Sequence, residues 1–235
     1  MEKEIQNMFR SIAARYDLLN HILSFGMDFY WRRSVHILRK KEGGRFLDVA
    51  AGTGDYSRAA LSAKPRQVVA VDFVHEMLQL AQKKNNIRAR SSSKNGTAQR
   101  IEFVVGDVEF LPLKAESFDA VIVAFGVRNF PNRIAALHAM YRVLKPNGIL
   151  CILEFARPRD TFFGRVFRWY FHTVVPVLGA LISGHACAYQ YLPQSVDNFP
   201  PAQEFLTMMA SAGFAENVHT SLTFGIASLF TGRKP

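Results

Sequence analysis

RFLDVAAGTGDYS, residues 45–57, decides the fold. An apolar run ends in Gly52-Thr53-Gly54, and a helical pattern, DYSRAALSA, follows at once. Glycines at a strand-to-helix turn let the backbone approach a ligand closely. A dinucleotide fingerprint would carry a third glycine at position 57, where this chain has Ser57, so a pyrophosphate on the helix amino terminus is disfavoured. Asp72 closes the next apolar run, QVVAVDF, at roughly the twenty-residue offset where an acid accepts ribose hydroxyls. Asp107 closes the third, RIEFVVGD, where it could reach an adenine or ribose edge. Asp48 sits inside the first strand and could brace the loop. Taken singly, a Gly-x-Gly is a common turn and an Asp after a strand is often a helix cap. Their conjunction at the carboxyl ends of three successive strands points to an adenosyl ligand.

Outward from this stretch the pattern repeats. SFDAVIVAFG and GILCILEFA add two more runs rich in Val, Ile and Phe, apolar on both faces as a sheet covered by helices requires. HEMLQLAQKK and NRIAALHAMYRVLK supply helices between them, the last stopped by Pro146 and Gly148. Repeated strand–helix units predict a doubly wound, Rossmann-like α/β sheet, mostly parallel. After a helix, PAQEFLTMMASAGF, the pieces ENVHTSLTF and GIASLFTGRK predict an antiparallel hairpin at the sheet edge. The expected organisation is a helical cap over 1–42, a nucleotide-binding core over 43–158, an apolar lid or insertion over 159–198, and a closing helix and edge strands over 199–235. The cap is read from Ile5, Met8, Phe9 and Ile12 at helical spacing and from a second apolar set after Asp17. IRARSSSKNGTAQR, 87–100, reads as a polar, basic surface loop.

The apolar stretch TFFGRVFRWYFHTVVPVLGALISG, 161–184, carries Arg165, Arg168, His172 and Pro176, too many interruptions for a membrane-spanning helix. It is either a helix roofing a pocket or a segment that docks on a bilayer, where aromatics and arginines suit the headgroup region. The formal net charge of +10 suits anionic lipid, nucleic acid or a phosphorylated ligand equally. The two cysteines, Cys151 and Cys187, make no disulfide or zinc framework, and the charged amino terminus has no secretory apolar region. A cytoplasmic protein, peripheral on the inner face of the cell membrane, is expected. Self-association is left open.

AFGVRNFPNR, 124–133, places Arg128 and Asn129 directly after the fourth strand, where ligands of open α/β sheets bind. Either Asn129 caps a turn before Pro131 and Arg128 pairs with a nearby carboxylate, or the two touch a substrate. A fixed guanidinium could hold a phenolate, and an amide could orient a ring oxygen or a water.

Together DVAAGTGD, VVAVDF, VVGDVEFLPL, FDAVIVAFGVRNF and YRVLKPNGILCILEFARP resemble the successive motifs of class I S-adenosylmethionine methyltransferases. More narrowly, MFRSIAARYDLLNHILSFGMDFYWRR, FGVRNF, AYQYLPQSVDNFP and TFGIASLFTGRKP resemble the quinone-biosynthesis C-methyltransferases, across nearly the whole chain. The resemblance implies methylation of a polyprenylated quinol, demethylmenaquinol to menaquinol or the benzoquinol step of ubiquinone synthesis. It implies that Gly52, Thr53 and Gly54 meet the methionine part of S-adenosylmethionine, that Asp72 takes the ribose, and that Asp107 and Val108 frame the adenine. It implies Arg128 and Asn129 as the catalytic pair; Tyr16 is added as a third member, hydrogen-bonding the ring. His21 is a weaker alternative base, and Tyr189 and Tyr191 are candidate pocket residues. The chain departs from the family at Ala124, where a hydroxyl is usual, and at His185 and Gln190. The rivals are an RNA methyltransferase, for which FGVRNF is the wrong motif and Cys151 lies inside a strand, and a quinone- or lipid-binding scaffold without activity. No metal is expected.

Overall fold

The computed structural model describes residues 24–91, 100–158, 160–183 and 186–235, together with Gln6, Met8, Arg10, Ala13, Asp17 and His21. Among the described residues seven strands form one sheet in the order β3-β2-β1-β4-β5-β7-β6. They are β1 Arg45–Val49, β2 Gln67–Asp72, β3 Arg100–Val105, β4 Phe118–Ala124, β5 Leu144–Phe155, β6 Ala215–Leu222 and β7 Ala227–Arg233. The first five pair in parallel, whereas β7 runs antiparallel to both β5 and β6. The expected edge hairpin is therefore present. Only β7 opposes the sheet, since reversing twice returns β6 to the common direction.

Around the sheet stand α1 Met27–Trp31, α2 Asp55–Ala60, α3 His75–Ser91, α4 Arg133–Val143, α5 Phe162–Trp169, α6 Val175–Ser183, α7 Ala186–Asp197 and α8 Ala202–Ser211. A 3-10 helix, Arg32–Lys41, continues α1, and one turn of π-helix, Tyr170–Val174, joins α5 to α6. Successive strand residues point to opposite faces, so the strands feed two cores. Leu47, Val69, Val121 and Ile152 meet Leu137, Met140, Phe205 and Phe230 on one face. Phe46, Val68, Ile122 and Cys151 meet Trp31, Leu38, Tyr56 and Ala60 on the other. This explains why the inner strands β1, β2 and β4 do not alternate polar with apolar, whereas the edge strand β6 does.

Two boundaries differ from expectation. Helix α3 runs on to Ser91, because Arg88, Ala89 and Arg90 are good helix formers. The connection read as 87–100 thus shrinks to 92–99, which lies outside the described residues. Helix α4 ends at Val143, before Pro146, and its carboxyl end is held by Lys234 rather than by a glycine. The buried ammonium donates to the carbonyls of Leu144 (2.8 Å) and Tyr141 (3.2 Å), as suits a cation at a helix carboxyl terminus.

Candidate active site

The strand order reverses direction between β1 and β4, and an open cleft lies at the carboxyl ends there. Gly52, Asp72, Asp107, Val108 and Asn129 line it together with Phe73, Met77 and Phe130.

The loop after β1 takes left-handed conformations at Ala50, Gly52 and Gly54, with φ of 52°, 55° and 76°. Its two glycines serve different ends. A Cβ on Gly52 would meet nothing within 4 Å, so the bare backbone faces open space on the cleft side. A Cβ on Gly54 would stand 3.1 Å from Cβ of Ala81, so this glycine lets α3 pack against the turn instead. Thr53 is buried, and its hydroxyl donates to the carboxylate of Asp17, which also pairs with Lys84. Of the three residues expected to meet the methionine, only Gly52 lines the main cleft.

The Gly52 N–H donates to Oδ2 of Asp72 at 2.7 Å, and the Val74 N–H donates to Oδ1 at 2.8 Å. The acid expected at the ribose therefore also fastens the glycine loop to β2. Burial pushes its carboxyl up to about 6, against the lowering effect of those N–H groups. Asp48 is fully buried; Ser57 donates to its Oδ2 at 2.5 Å, and burial pushes it up to about 7. The residue at the place of a third glycine thus carries a hydroxyl that braces the first strand. Asp107 accepts the N–H of Glu109 at 2.9 Å, shaping the turn that presents Val108.

Arg128 and Asn129 share one 3-10 turn, Val127–Asn129, but go opposite ways. Asn129 faces the cleft, and its Oδ1 accepts the hydroxyl of Tyr191 from α7 at 3.1 Å. It does not cap the following helix; Asn132 does, accepting the Ala135 N–H at 3.0 Å. The Arg128 guanidinium lies 2.8 Å from Oε1 of Glu154, donates to the Phe125 carbonyl and to Oγ of Ser195 (3.3 Å), and stacks 5.5 Å from the Phe155 ring centre. Oε2 of Glu154 accepts the Arg128 N–H. Of the two alternatives for Arg128, pairing with a carboxylate is the arrangement seen here, with both side chains withdrawn from water.

Tyr16 lies outside the described residues, as do His185 and the side chains of Tyr189 and Gln190. His21 is engaged by Asp28 (2.7 Å) and stacked on Phe29 at 4.3 Å, a structural arrangement. Ala124 lines the cleft and brings no hydroxyl to it. Cys151 is buried beside Tyr56, and burial pushes its thiol up to about 11, so it is no nucleophile. Among the described residues no group of side chains could hold a metal ion. Sequence reasoning missed the bracing role of Ser57, for which an ordinary serine gives no signal.

Gly52 facing open space, a buried acid already bonded to the loop and apolar walls fit an adenosyl ligand with a sulfonium, whose adenine would lie on Val108 and Phe73. Sheet order, glycine turn and acid-tipped second strand define the class: an S-adenosylmethionine-dependent methyltransferase of the class I fold. A Thermotoga maritima S-adenosylmethionine-dependent methyltransferase superposes with a TM-score of 0.62 at 20% identity, covering 97% of this chain and 100% of that one, a likeness of fold alone. The ubiquinone/menaquinone biosynthesis C-methyltransferase UbiE of Geobacter sulfurreducens is 44% identical over 235 residues, 99% of this chain and 89% of its own. The demethylmenaquinone methyltransferase of Thermus thermophilus is 44% identical over 230 residues, 97% of this chain and all of its own. The profile of the ubiE/COQ5 methyltransferase family matches residues 1–234, and the chain belongs to that family.

Proposed function

We propose that the protein methylates a ring carbon of a polyprenylated quinol, converting demethylmenaquinol to menaquinol, with the benzoquinol step of ubiquinone synthesis as its second reaction. The names of its relatives support the substrate class. The observation that carries the site assignment is Asn129, which faces the cleft with a tyrosine hydroxyl bonded to its amide oxygen.

A ring carbon attacks well only when a neighbouring ring hydroxyl has given up its proton, and a phenol does so near pH ~10 unless the site favours the anion. Bound S-adenosylmethionine supplies an electrophilic methyl on a sulfonium. Asn129 orients the ring hydroxyl, whose proton leaves to a water held at the same amide. As the new carbon–carbon bond forms, the methyl–sulfur bond breaks; the substituted carbon then sheds its own proton to restore the aromatic ring. Arg128 acts through position, since its pairing with Glu154 fixes the turn that presents Asn129. Gly52, Asp72 and Val108 hold the cofactor, with Asp107 shaping the adenine side. Tyr16 remains a proposed partner of the ring.

The prenyl tail keeps such a substrate in a bilayer. Among the described residues no helix is long and apolar enough to cross one. Peripheral contact is supported by α5, where Phe162, Arg165, Val166 and Trp169 share one exposed stripe. Phe163 extends it by stacking on the exposed Phe224, and Phe25 packs against Tyr170. The segment 159–198 is thus both roof and docking face in this reading.

The test is methyl transfer from labelled S-adenosylmethionine to reduced demethylmenaquinol, reduced demethylated benzoquinol and bulk RNA, each with anionic vesicles. Label in a quinol supports the proposal and ranks the rings. Label confined to RNA overturns it.

A further inference from the structure

Behind the glycine loop lies a second, much smaller recess, sharing Ala50, Gly52, Ala124 and Phe125 with the main cleft. Two charged side chains on its wall have unused buried atoms: Nε of Arg32 and Oδ1 of Asp48 have no hydrogen-bond partner among the described residues. A buried polar atom left without a partner is costly, so such a pair marks a place where a ligand completes the bonding. Arg32 is also loosely held by its neighbours. Its Nη2 stands 3.4 Å from Asp28 and 3.7 Å from Asp55, close enough to feel their charge yet beyond good hydrogen-bond length.

We propose that Arg32 binds the α-carboxylate of S-adenosylmethionine, making the amino-terminal cap a part of the cofactor site. The inference rests on the cofactor occupying the main cleft. With the adenosine on the Asp72 and Asp107 side and the methyl towards Asn129, the amino-acid end runs past Gly52 into the space that Arg32 faces. A guanidinium presents its donors in a planar fork that matches a carboxylate. Asp48, on the same wall, prevents a simple dianion from settling there, whereas a zwitterion is accommodated. The residue comes from the 3-10 helix Arg32–Lys41, whose entry is anchored by the indole of Trp31 donating to Thr223 at 2.8 Å.

Titration calorimetry tests this with three ligands: S-adenosylmethionine, its decarboxylated analogue and 5′-methylthioadenosine, which lacks the amino-acid end. The parent protein should bind S-adenosylmethionine roughly ten- to a hundredfold more tightly than the decarboxylated analogue, the span of a charge-assisted hydrogen bond. Arg32→Met should lose that discrimination by weakening S-adenosylmethionine alone, with 5′-methylthioadenosine unchanged. Arg32→Lys keeps the stem and charge but not the fork, and should retain part of the discrimination; it also serves if the methionine variant fails to fold. Undiminished discrimination in either variant, or equal weakening of all three ligands, overturns the proposal. Failure of 5′-methylthioadenosine to bind the parent protein would count against the cofactor cleft itself, and so against this inference with it.

Discussion

Nη1 of Arg128 lies 2.8 Å from Oε1 of Glu154, joining the turn after β4 to the carboxyl end of β5 with both side chains withdrawn from water. Removing one member of a buried pair leaves the other charge stranded, which costs about 3–5 kcal/mol. Arg128→Ala should therefore destabilise the fold by that amount, and Glu154→Gln added to it should recover most of the loss. Denaturant melts of the single and double variants check this. Arg128→Ala as stable as the parent, with turnover abolished, would return Arg128 to direct contact with the substrate.

Asn129 and Tyr191 should behave differently from Arg128. Asn129→Ala is expected to lower kcat by roughly a hundredfold, in the range of lost proton-transfer assistance, with a small effect on stability. Tyr191→Phe removes the bond to the amide oxygen and should cost roughly tenfold. Steady-state kinetics with quinol and cofactor varied separately distinguish these losses from weakened cofactor binding.

Asp72 gives a pH signature. Its carboxyl holds its proton up to about 6 in the fold against 3.8 unperturbed, so its contribution to stability is full below 3.8 and is lost as pH rises to about 6. Asp72→Asn lacks that loss, and its melting temperature should gain on the parent between pH 4 and 6 and hold level above. Cofactor affinity runs the other way, because ribose hydroxyls donate best to the anion. It should rise with pH through about 6 in the parent and lose that part in Asp72→Asn. Scanning calorimetry from about pH 3.5 to 8 reads the stability change, and titration calorimetry from about pH 5 to 8 reads the affinity.

The exposed stripe on α5 predicts vesicle binding. Phe162 and Trp169 are 72% and 61% exposed, so replacing both with Ser should leave the melting temperature unchanged. Partition onto anionic vesicles should nevertheless fall roughly tenfold or more, the worth of one partly buried aromatic. Arg165→Glu should weaken binding at low salt and much less at high salt. Flotation assays read both outcomes, and equal binding by all variants would place the docking face elsewhere.

The sheet was legible because burial on both faces leaves an unmistakable run of Val, Ile and Phe in the inner strands, and because glycines and acids recur at the strand ends. Asp72 and Asn129 were singled out for that reason: one closes such a run and the other lies on the loop that follows one. The fate of Arg128 was not legible, since its partner Glu154 lies 26 residues away on a neighbouring strand and only the register of β4 against β5 brings the two together. Gly54 was assigned to the ligand because a motif does not reveal which of two glycines faces a cleft and which admits a helix. Arg32 stood in a charged run that reads as a solvated surface until the 3-10 helix folds it behind the loop.

The position of β7 bears on how the protein is made. Inserted between β5 and β6, it is β6's single neighbour in the sheet among the described residues. A ribosome-bound chain that has emerged only as far as β6 therefore carries a strand with nothing to pair with, and an open edge on β5. Phe230 reaches Phe205 only when β7 slides into that slot. Assembly of the sheet is thus completed by a late, long-range event, and until it happens the nascent protein offers two unpaired edges to holding chaperones and to its own neighbours on the polysome.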